Sequence, residues 1–451
     1  MRRVRWYLWI LAGVLLIYIG GSVYFMDHFF LGTTINGEDA QFLTVSQADN
    51  LILKQAQSYQ LTLQERNGDT VILHPEKIGV SFYKTDAAWH MKRRQSGFYW
   101  PKMFWEKDSY QISPGIQIDD EILGEALRGL ECVQTGERPI NAWIELTEDG
   151  YGVHKEEPGS CIDVNLLADQ VEAAVLNMQA SLNLDTQGCY MAPGVTEDSE
   201  KIVALRETLD HWLGTQVTYE FGPETEVIDR ETVASFIDLH SYDASLDQEA
   251  IAAWVAQLAE KRDTYKRPRN FKSTLRGTIT VKGGNYGWEI DQETESALLL
   301  QHLENGDVVQ KEPAYLHTGN AWSNNYDIGD TYIEVDLSAQ HMWFYKEGEL
   351  VIDTDVVTGN MSRGWRTPEM VSDVKYKARN AVLRGVDYAT PVKYWVPFYR
   401  GYGIHDANWR GSFGGAIYQT SGSHGCVNTP TAAMKVLYEN VEKGTPVVLY
   451  Y

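Results

Sequence analysis

The chain opens on an unbroken apolar run from Trp6 to Met26, through Leu11, Val14, Leu15, Leu16, Ile17 and Ile19, closed by Asp27. That run predicts a helix long enough to cross a hydrocarbon core. A cleaved signal peptide has a shorter apolar region and a small-residue cleavage site, and Gly20-Gly21-Ser22 lies too deep in the run to supply one. An uncleaved anchor is therefore expected. Arg2, Arg3 and Arg5 on the N-terminal flank put that end in the cytoplasm and everything after it outside. No later stretch is comparably apolar, so the pattern predicts a single-pass membrane protein with a large extracytoplasmic part.

Beyond the anchor the pattern alternates between strand and helix periods. Leu61-Thr62-Leu63, the turn Asn67-Gly68 and Val71-Ile72-Leu73 predict a hairpin, followed by Ile78-Gly79-Val80-Ser81-Phe82. Two longer stretches resemble each other. One runs Ile144-Glu145-Leu146, a turn at Glu148-Asp149-Gly150, Gly159-Ser160-Cys161-Ile162-Asp163, then Leu166, Leu167, Val171, Ala174 and Val175. The other runs Ile279-Thr280-Val281, Gly283-Gly284-Asn285, Gly287-Trp288-Glu289-Ile290-Asp291, then Ala297, Leu298 and Leu299. Each predicts a hairpin and then an Asp capping a helix. Val227-Ile228-Asp229 with Val233, Phe236 and Ile237 looks like the back half of a further copy. Such recurrence predicts duplicated α+β modules. The aromatic cluster Phe98, Tyr99, Trp100, Phe104 and Trp105 is expected to pack a small core, with stacking on sugar rings as the alternative.

From Asp327-Ile328-Gly329-Asp330 onward β signals are dense. Tyr332 to Leu337 alternates, and His341-Met342-Trp343-Phe344-Tyr345 joins Leu350-Val351-Ile352 through Lys346-Glu347-Gly348-Glu349 as a hairpin. Ala432, Ala433, Val436, Leu437 and Val441 have helical spacing, and Pro446-Val447-Val448-Leu449-Tyr450 closes as a strand.

At 451 residues there is room for two to four domains, each with its own core. The net charge of -23 argues against nucleic acid, which requires clustered Lys and Arg. Outside the cytoplasm disulfides become possible. Cys132, Cys161 and Cys189 are odd in number, so at most one bridge forms among them, or none, and Cys426 is left free.

Cys426 lies in Ser423-His424-Gly425-Cys426-Val427-Asn428-Thr429-Pro430, and a second histidine stands upstream in Gly403-Ile404-His405-Asp406. Taken singly, a Cys is more often a small buried hydrophobe and a His a satisfied core or surface residue. Together they describe a nucleophile, because the thiolate is the reactive form and an imidazole can take its proton. If the segment is extended, His424 and Cys426 project from one face. The Gly425 and Cys426 amides would then donate to an oxyanion. His405, His424 and Cys426 also suit zinc, but His-x-Cys is a short chelate and no fourth ligand is evident.

His405, a spacer of seventeen residues and then Ser423-His424-Gly425-Cys426-Val427-Asn428 fill every position of a long signature. It resembles that of the L,D-transpeptidase, or YkuD-like, family, and Val356-Val357-Thr358-Gly359 and Arg366-Thr367-Pro368 resemble runs near the start of that fold. The repeats upstream, with Thr34-Ile35-Asn36-Gly37 leading into Leu43-Thr44-Val45-Ser46-Gln47-Ala48, resemble the YoaR-like peptidoglycan-binding domains that often precede a YkuD domain in Gram-positive bacteria. The resemblance implies a multidomain chain: a cytoplasmic tip and transmembrane anchor at 1–30, α+β modules at 31–192 and 193–328, and a mostly-β YkuD-type sandwich at 329–451. The modules bind peptidoglycan or act as spacers.

By the same resemblance Cys426 is the nucleophile and His405 its base, oriented by the carbonyl or the carboxylate of Asp406. Ser423 and His424 shape the pocket, and Asn428 fixes the loop by hydrogen bonds. Trp395, Phe398, Tyr399 and Trp409 are candidates to line a groove or to pack the core. The implied partners are a tetrapeptide stem and an acceptor amine, with no cofactor. The thioester formed on Cys426 with loss of D-alanine passes to a neighbouring stem, crosslinking third residues; carbapenems should acylate the same Cys. The competing readings are an L,D-carboxypeptidase on the same site, a zinc module, and a wall-binding scaffold without activity.

Overall fold

The computed structural model describes residues 2–148, 150–322, 327–385 and 388–451. It separates into two compact units, Met1–Trp143 with His154–Ser199, and Ile144–Val153 with Glu200–Tyr451.

The first unit begins with helix α1, Arg2–Asp27, in which Trp6–Asp27 has the length and composition to cross a membrane. Its C-terminal end is built into folded protein: Ser22 and Phe25 are buried, and the Phe25 ring packs against Phe30 and Trp100. The aromatic cluster differs from expectation. Phe98, Tyr99, Phe104 and Trp105 are 57, 69, 63 and 72% exposed. The 3₁₀ segment carrying them, Gly97–Phe104, is kinked at Tyr99 and too short to enclose a core, so only Trp100 turns inward.

Farther along, Leu61–Gln64 and Thr70–Leu73 form the predicted hairpin, with Leu63 opposite Val71. At its turn Gly68 takes φ +93°, and Asn67 Oδ1 accepts from the Asp69 amide at 2.9 Å. Helix Val164–Leu176 is capped by Asp163 and buries Leu167, Val171, Ala174 and Val175. These join Leu61, Leu63 and Leu73 in one core, which also takes the free thiol of Cys189; Cys132 and Cys161 are free as well.

In the second unit Asp229 and Asp291 cap helices Arg230–Ala234 and Gln292–Asn305, as predicted. The two resembling stretches nevertheless pair differently. Trp143–Thr147 pairs with Gly150–His154, although Asp149 of the predicted turn lies outside the described residues. Ile279 instead lies opposite Phe271 in a hairpin of Arg269–Ser273 with Gly277–Val281, and Glu289 pairs with His317. Gly283-Gly284-Asn285 therefore connects two sheets and turns no hairpin.

The C-terminal portion carries nine strands: β1 (Tyr332–Asp336), β2 (His341–Lys346), β3 (Glu349–Asp355), β4 (Met370–Asp373), β5 (Ala378–Arg384), β6 (Ala389–Tyr399), β7 (Tyr402–Asp406), β8 (Val427–Thr429) and β9 (Pro446–Tyr450). One sheet has the order β3-β2-β1-β9-β4 and the other β5-β6-β7-β8. The β2–β3 hairpin turns through Glu347 and Gly348 at φ +54° and +83°, the left-handed pair a two-residue connection requires. Ile333, Val335, Phe344, Val447 and Leu449 of the first sheet share a core with Val396, Phe398, Ile404 and Val427 of the second. Met434 and Leu437 of the helix Thr431–Asn440 complete it.

The alternation from Tyr332 to Leu337 suggests one wet face, yet every residue of β1 is buried. The outer face is covered by the 269–281 hairpin, whose Phe271 and Val281 join Tyr332, Val371, Val448 and Tyr450. The carboxylates on that face are satisfied there. Glu334 accepts from the Thr274 amide at 2.9 Å and the Tyr450 hydroxyl at 2.5 Å. Asp336 accepts two bonds from the Arg276 guanidinium at 2.7 and 2.8 Å. A sheet covered on both faces is a rigid support, because close-packed interiors do not yield to small displacements.

Phe344 is fully buried between the sheets. Phe344→Ala is expected to cost about 3–5 kcal/mol, measured as a fall in the denaturant midpoint of the C-terminal portion; an unchanged midpoint would contradict the shared core.

Candidate active site

Strand β7 carries His405, and Cys426 immediately precedes β8. The two strands are parallel, with Ile404 against Val427 and His405 against Asn428. A parallel pair cannot be joined by a tight turn. The long connection supplies pocket walls instead: Trp409 and Arg410 at its start, Gly422, Ser423 and His424 at its end.

The stretch before Cys426 is not extended. His424, Gly425 and Cys426 form a bend, and β8 starts only at Val427. Gly425 takes φ +116°, and a Cβ there would stand 2.2 Å from the Tyr402 ring, so backbone and space both require glycine. His424 and Cys426 reach the same pocket through this bend and not through strand alternation.

Hydrogen bonds fix the bend. The Gly425 N–H donates to Ser423 Oγ at 3.0 Å, and Ser423 Oγ donates to the Cys426 carbonyl at 2.5 Å. Thr367 Oγ1 donates to the Gly425 carbonyl at 2.8 Å and accepts from the Gly359 amide at 3.0 Å. Val357 and Asn428 exchange two backbone bonds of 2.9 Å, and the Ser423 amide donates to the Thr358 carbonyl at 2.9 Å. The expected pair of oxyanion donors is thereby reduced, since Ser423 already occupies the Gly425 N–H. The Cys426 N–H makes no hydrogen bond among the described residues.

His405 is buried, with Nδ1 2.9 Å from the Asp406 carbonyl oxygen. A carbonyl only accepts, so Nδ1 carries the hydrogen and Nε2 is left basic. The Asp406 carboxylate is occupied elsewhere, accepting from the Lys393 and Tyr394 amides at 2.8 and 2.9 Å. Burial lowers the His405 pKa below 6.5; the carbonyl and charge of Asp406 oppose this, and the Arg410 cation reinforces it. Cys426 is partly accessible from the pocket, but the enclosure of its sulfur pushes the thiol up to about 11, with a Gly403 amide partly offsetting. Its sulfur has the Gly401 carbonyl as hydrogen-bond partner at 3.8 Å. Both shifts favour the uncharged form of the group concerned, the thiol of Cys426 and the imidazole of His405.

The pocket, about 230 Å³, is walled on the far side by Leu383, Tyr388 and Thr390 of the β5–β6 hairpin. The His424 ring lies between Trp365 and Tyr388, at 3.9 and 4.6 Å between centroids. Of the expected groove aromatics, half-exposed Trp409 lines the pocket. Trp395 is buried beside His405 at 5.9 Å, Phe398 is in the core and Tyr399 packs against it. Asn428 holds the loop by the hydrogen bonds of its backbone, while its buried Oδ1 has no partner among the described residues.

Sequence reading missed Arg410. Its Nη1 donates to the Ser421 carbonyl at 2.9 Å, but its buried Nε has no acceptor, and it forms no ion pair among the described residues. It is the one Lys or Arg between His405 and Ser423, a signal the sequence did carry. Among the described residues no three His, Cys, Asp or Glu side chains converge as a metal site.

A thiol and an imidazole around one pocket, with an unpaired amide on the cysteine, are groups acyl transfer requires. Comparison with known proteins agrees. An L,D-transpeptidase catalytic domain (YkuD) matches residues 330–449, and a peptidoglycan binding domain matches 196–309. A structure described as the Ldtfm-avibactam carbamoyl enzyme is 36% identical, aligned over 55% of this chain and 99% of that one, with a TM-score of 0.51. A crystal structure of an Enterococcus faecium L,D-transpeptidase with a Cys-to-Ser change is 36% identical over 56% of this chain and 100% of that one, with a TM-score of 0.50. Comparison with curated proteins gives no match. The chain belongs to the YkuD L,D-transpeptidase family.

Two pH dependences follow. Alkylation of Cys426 by iodoacetamide, read as the difference in intact mass between wild type and Cys426→Ala, should be slow near pH 8 and climb toward pH 11; a plateau below pH 9 would mean the thiol is not raised. A base that must be neutral works above its pKa, so acylation by a carbapenem should persist below pH 6.5 and fall only as pH drops through the depressed His405 value. Removing the nearby cation by Arg410→Gln should move that acid limb to higher pH.

Proposed function

We propose that this protein is a membrane-anchored L,D-transpeptidase that crosslinks third residues of peptidoglycan stem peptides through a thioester on Cys426. The observation that carries the reading is the convergence of Cys426 and of His405, whose Nδ1 is held by a backbone carbonyl, on one pocket that also holds an unpaired cation.

In the first step Nε2 of His405 takes the thiol proton as the sulfur attacks the carbonyl carbon of the third stem residue. The Cys426 amide donates to the oxyanion, a contribution of roughly 3–4 kcal/mol where single donors have been removed. The imidazolium then gives its proton to the departing amine of D-alanine, leaving the stem as a thioester. In the second step the side-chain amine of a neighbouring stem attacks, His405 takes its proton, and the sulfur leaves. Arg410 receives the terminal carboxylate of the donor, the anion its guanidinium lacks. That contact offsets the field holding His405 neutral, so donor binding raises the basicity of the group that must accept the proton. The carbamoyl adduct described for Ldtfm supports an acylatable nucleophile in this family.

The anchor at 1–30 stays attached, because Ser22 and Phe25 belong to the interior of the first unit and cleavage would remove them. The modules at 31–192 and 193–328 then hold the catalytic sandwich at 329–451 on the wall side, and the match at 196–309 supports contact with peptidoglycan.

Intact-protein mass after exposure to a carbapenem should show one stoichiometric adduct, absent from Cys426→Ala; an adduct retained by that variant would overturn the nucleophile. Stem tetrapeptide incubated with and without an acceptor amine should give crosslinked dimer, weighed by mass spectrometry. A product that is only tripeptide plus D-alanine in both cases would make the enzyme a carboxypeptidase. Arg410→Gln should raise KM for the tetrapeptide about tenfold or more, the range expected on losing a charged hydrogen bond, with kcat less affected.

A further inference from the structure

The exposed aromatics at 98–105 sit in a particular place. The segment Gly97–Phe104 lies along the last third of α1, with backbones so close that a Cβ on Gly97 would stand 2.4 Å from the Ser22 carbonyl oxygen. Trp100 lies over Gly21, where a Cβ would meet its ring at 2.5 Å, and its Nε1 donates to the Tyr18 carbonyl at 3.1 Å. The Tyr18 hydroxyl returns a bond to the Phe98 carbonyl at 2.8 Å. Tyr18 precedes Asp27 by nine residues, about 13 Å of helix.

The bilayer leaves little choice of depth. The apolar stretch Trp6–Asp27 has 22 residues, about 33 Å of helix against a hydrocarbon core of about 30 Å. If the 97–105 segment had to remain above the membrane, only the residues from Trp6 to Ile17 would be left to span it, about 18 Å, which is too short. A bilayer that accommodates α1 therefore also receives Phe98, Tyr99, Phe104 and Trp105, whose side chains face away from the protein. Their chemistry suits that level: Trp and Tyr favour the headgroup boundary, and exposed Arg93, Arg94, Lys102 and Lys107 beside them can extend toward anionic headgroups. The backbone is partly self-satisfied, with the Tyr99 amide bonded to Ser96 and the Trp105 and Glu106 amides to Lys102.

We infer that Gly97–Trp105 is a second membrane-binding element, an aromatic wedge seated in the outer leaflet beside the anchor. It rests on the reading that α1 stays as a membrane span. Its consequence is orientation: a single helix leaves the extracytoplasmic part free to tilt and spin, whereas a helix with a wedge clamped to it fixes the face the first unit turns to the lipid.

Full-length protein reconstituted in phosphatidylglycerol/phosphatidylethanolamine liposomes, with and without bromines on the shallow part of the acyl chains, tests this by tryptophan fluorescence. Trp105→Phe should lose a distinct part of the bromine-quenched emission, and Trp6→Phe with Trp9→Phe should lose another, from shallow bromines of the opposite leaflet, since Trp6 opens the apolar stretch. Equal quenching in wild type and Trp105→Phe, with the Trp6 and Trp9 component still quenched, would overturn the wedge while leaving the anchor standing. Unquenched Trp6 and Trp9 would overturn the anchor and the wedge with it.

Discussion

The site depends on one backbone constraint, the bend at Gly425. A residue with φ near +116° lets the chain leave the pocket wall, expose the Cys426 sulfur and amide, and enter β8 in register with β7 two residues later. No side chain fits at that position against Tyr402, and the bend is held from outside by Thr367 and from inside by Ser423. Each of these hydroxyls donates one bond and accepts another, so neither is left unsatisfied in the interior. A loop held only by its own residues would open locally; this one is tied to two neighbouring segments and to a doubly covered sheet.

The electrostatics follow from the same enclosure. Enclosing the sulfur and the imidazole in one pocket disfavours charge on either, pushing the thiol up and the imidazole down. The Arg410 cation faces the same pocket, forms no ion pair among the described residues and lowers the His405 pKa further. A site arranged this way suppresses stray reaction of its thiol with small electrophiles.

Much of this was legible in local sequence. The three runs 356–359, 366–368 and 423–428, separated along the chain, meet at the bend. The Asp caps, the Leu61–Leu73 hairpin and the Glu347-Gly348 turn were readable because each is decided by neighbours within a few residues. The failures have the opposite cause. Ile279 pairs with Phe271 and not across Gly283-Gly284-Asn285, because pairing is decided by distant surfaces, and Tyr332–Asp336 is buried on both faces by a hairpin about fifty residues earlier, beyond the reach of local pattern. The aromatics at 98–105 read as core because composition alone cannot distinguish an interior from a membrane. Arg410 was overlooked because a cation matters only once its missing partner is seen.

That covering hairpin also bears on how the chain divides. Residues 269–281 fall within the peptidoglycan-binding match, yet Phe271 and Val281 pack on Tyr332, Val371, Val448 and Tyr450 of the catalytic sheet. Arg276 satisfies Asp336, Thr274 satisfies Glu334, and Arg269 pairs with the fully buried Asp327. A cut at residue 329 would expose an apolar sheet face and leave buried carboxylates without donors, a loss of several kcal/mol from unsatisfied groups alone. The matched module therefore does more than hold the enzyme at a distance. It supplies one layer of the catalytic fold: the hairpin backs the sheet β3-β2-β1-β9-β4, and the runs 356–359 and 366–368 that flank β3 and β4 of that sheet hold the Cys426 bend.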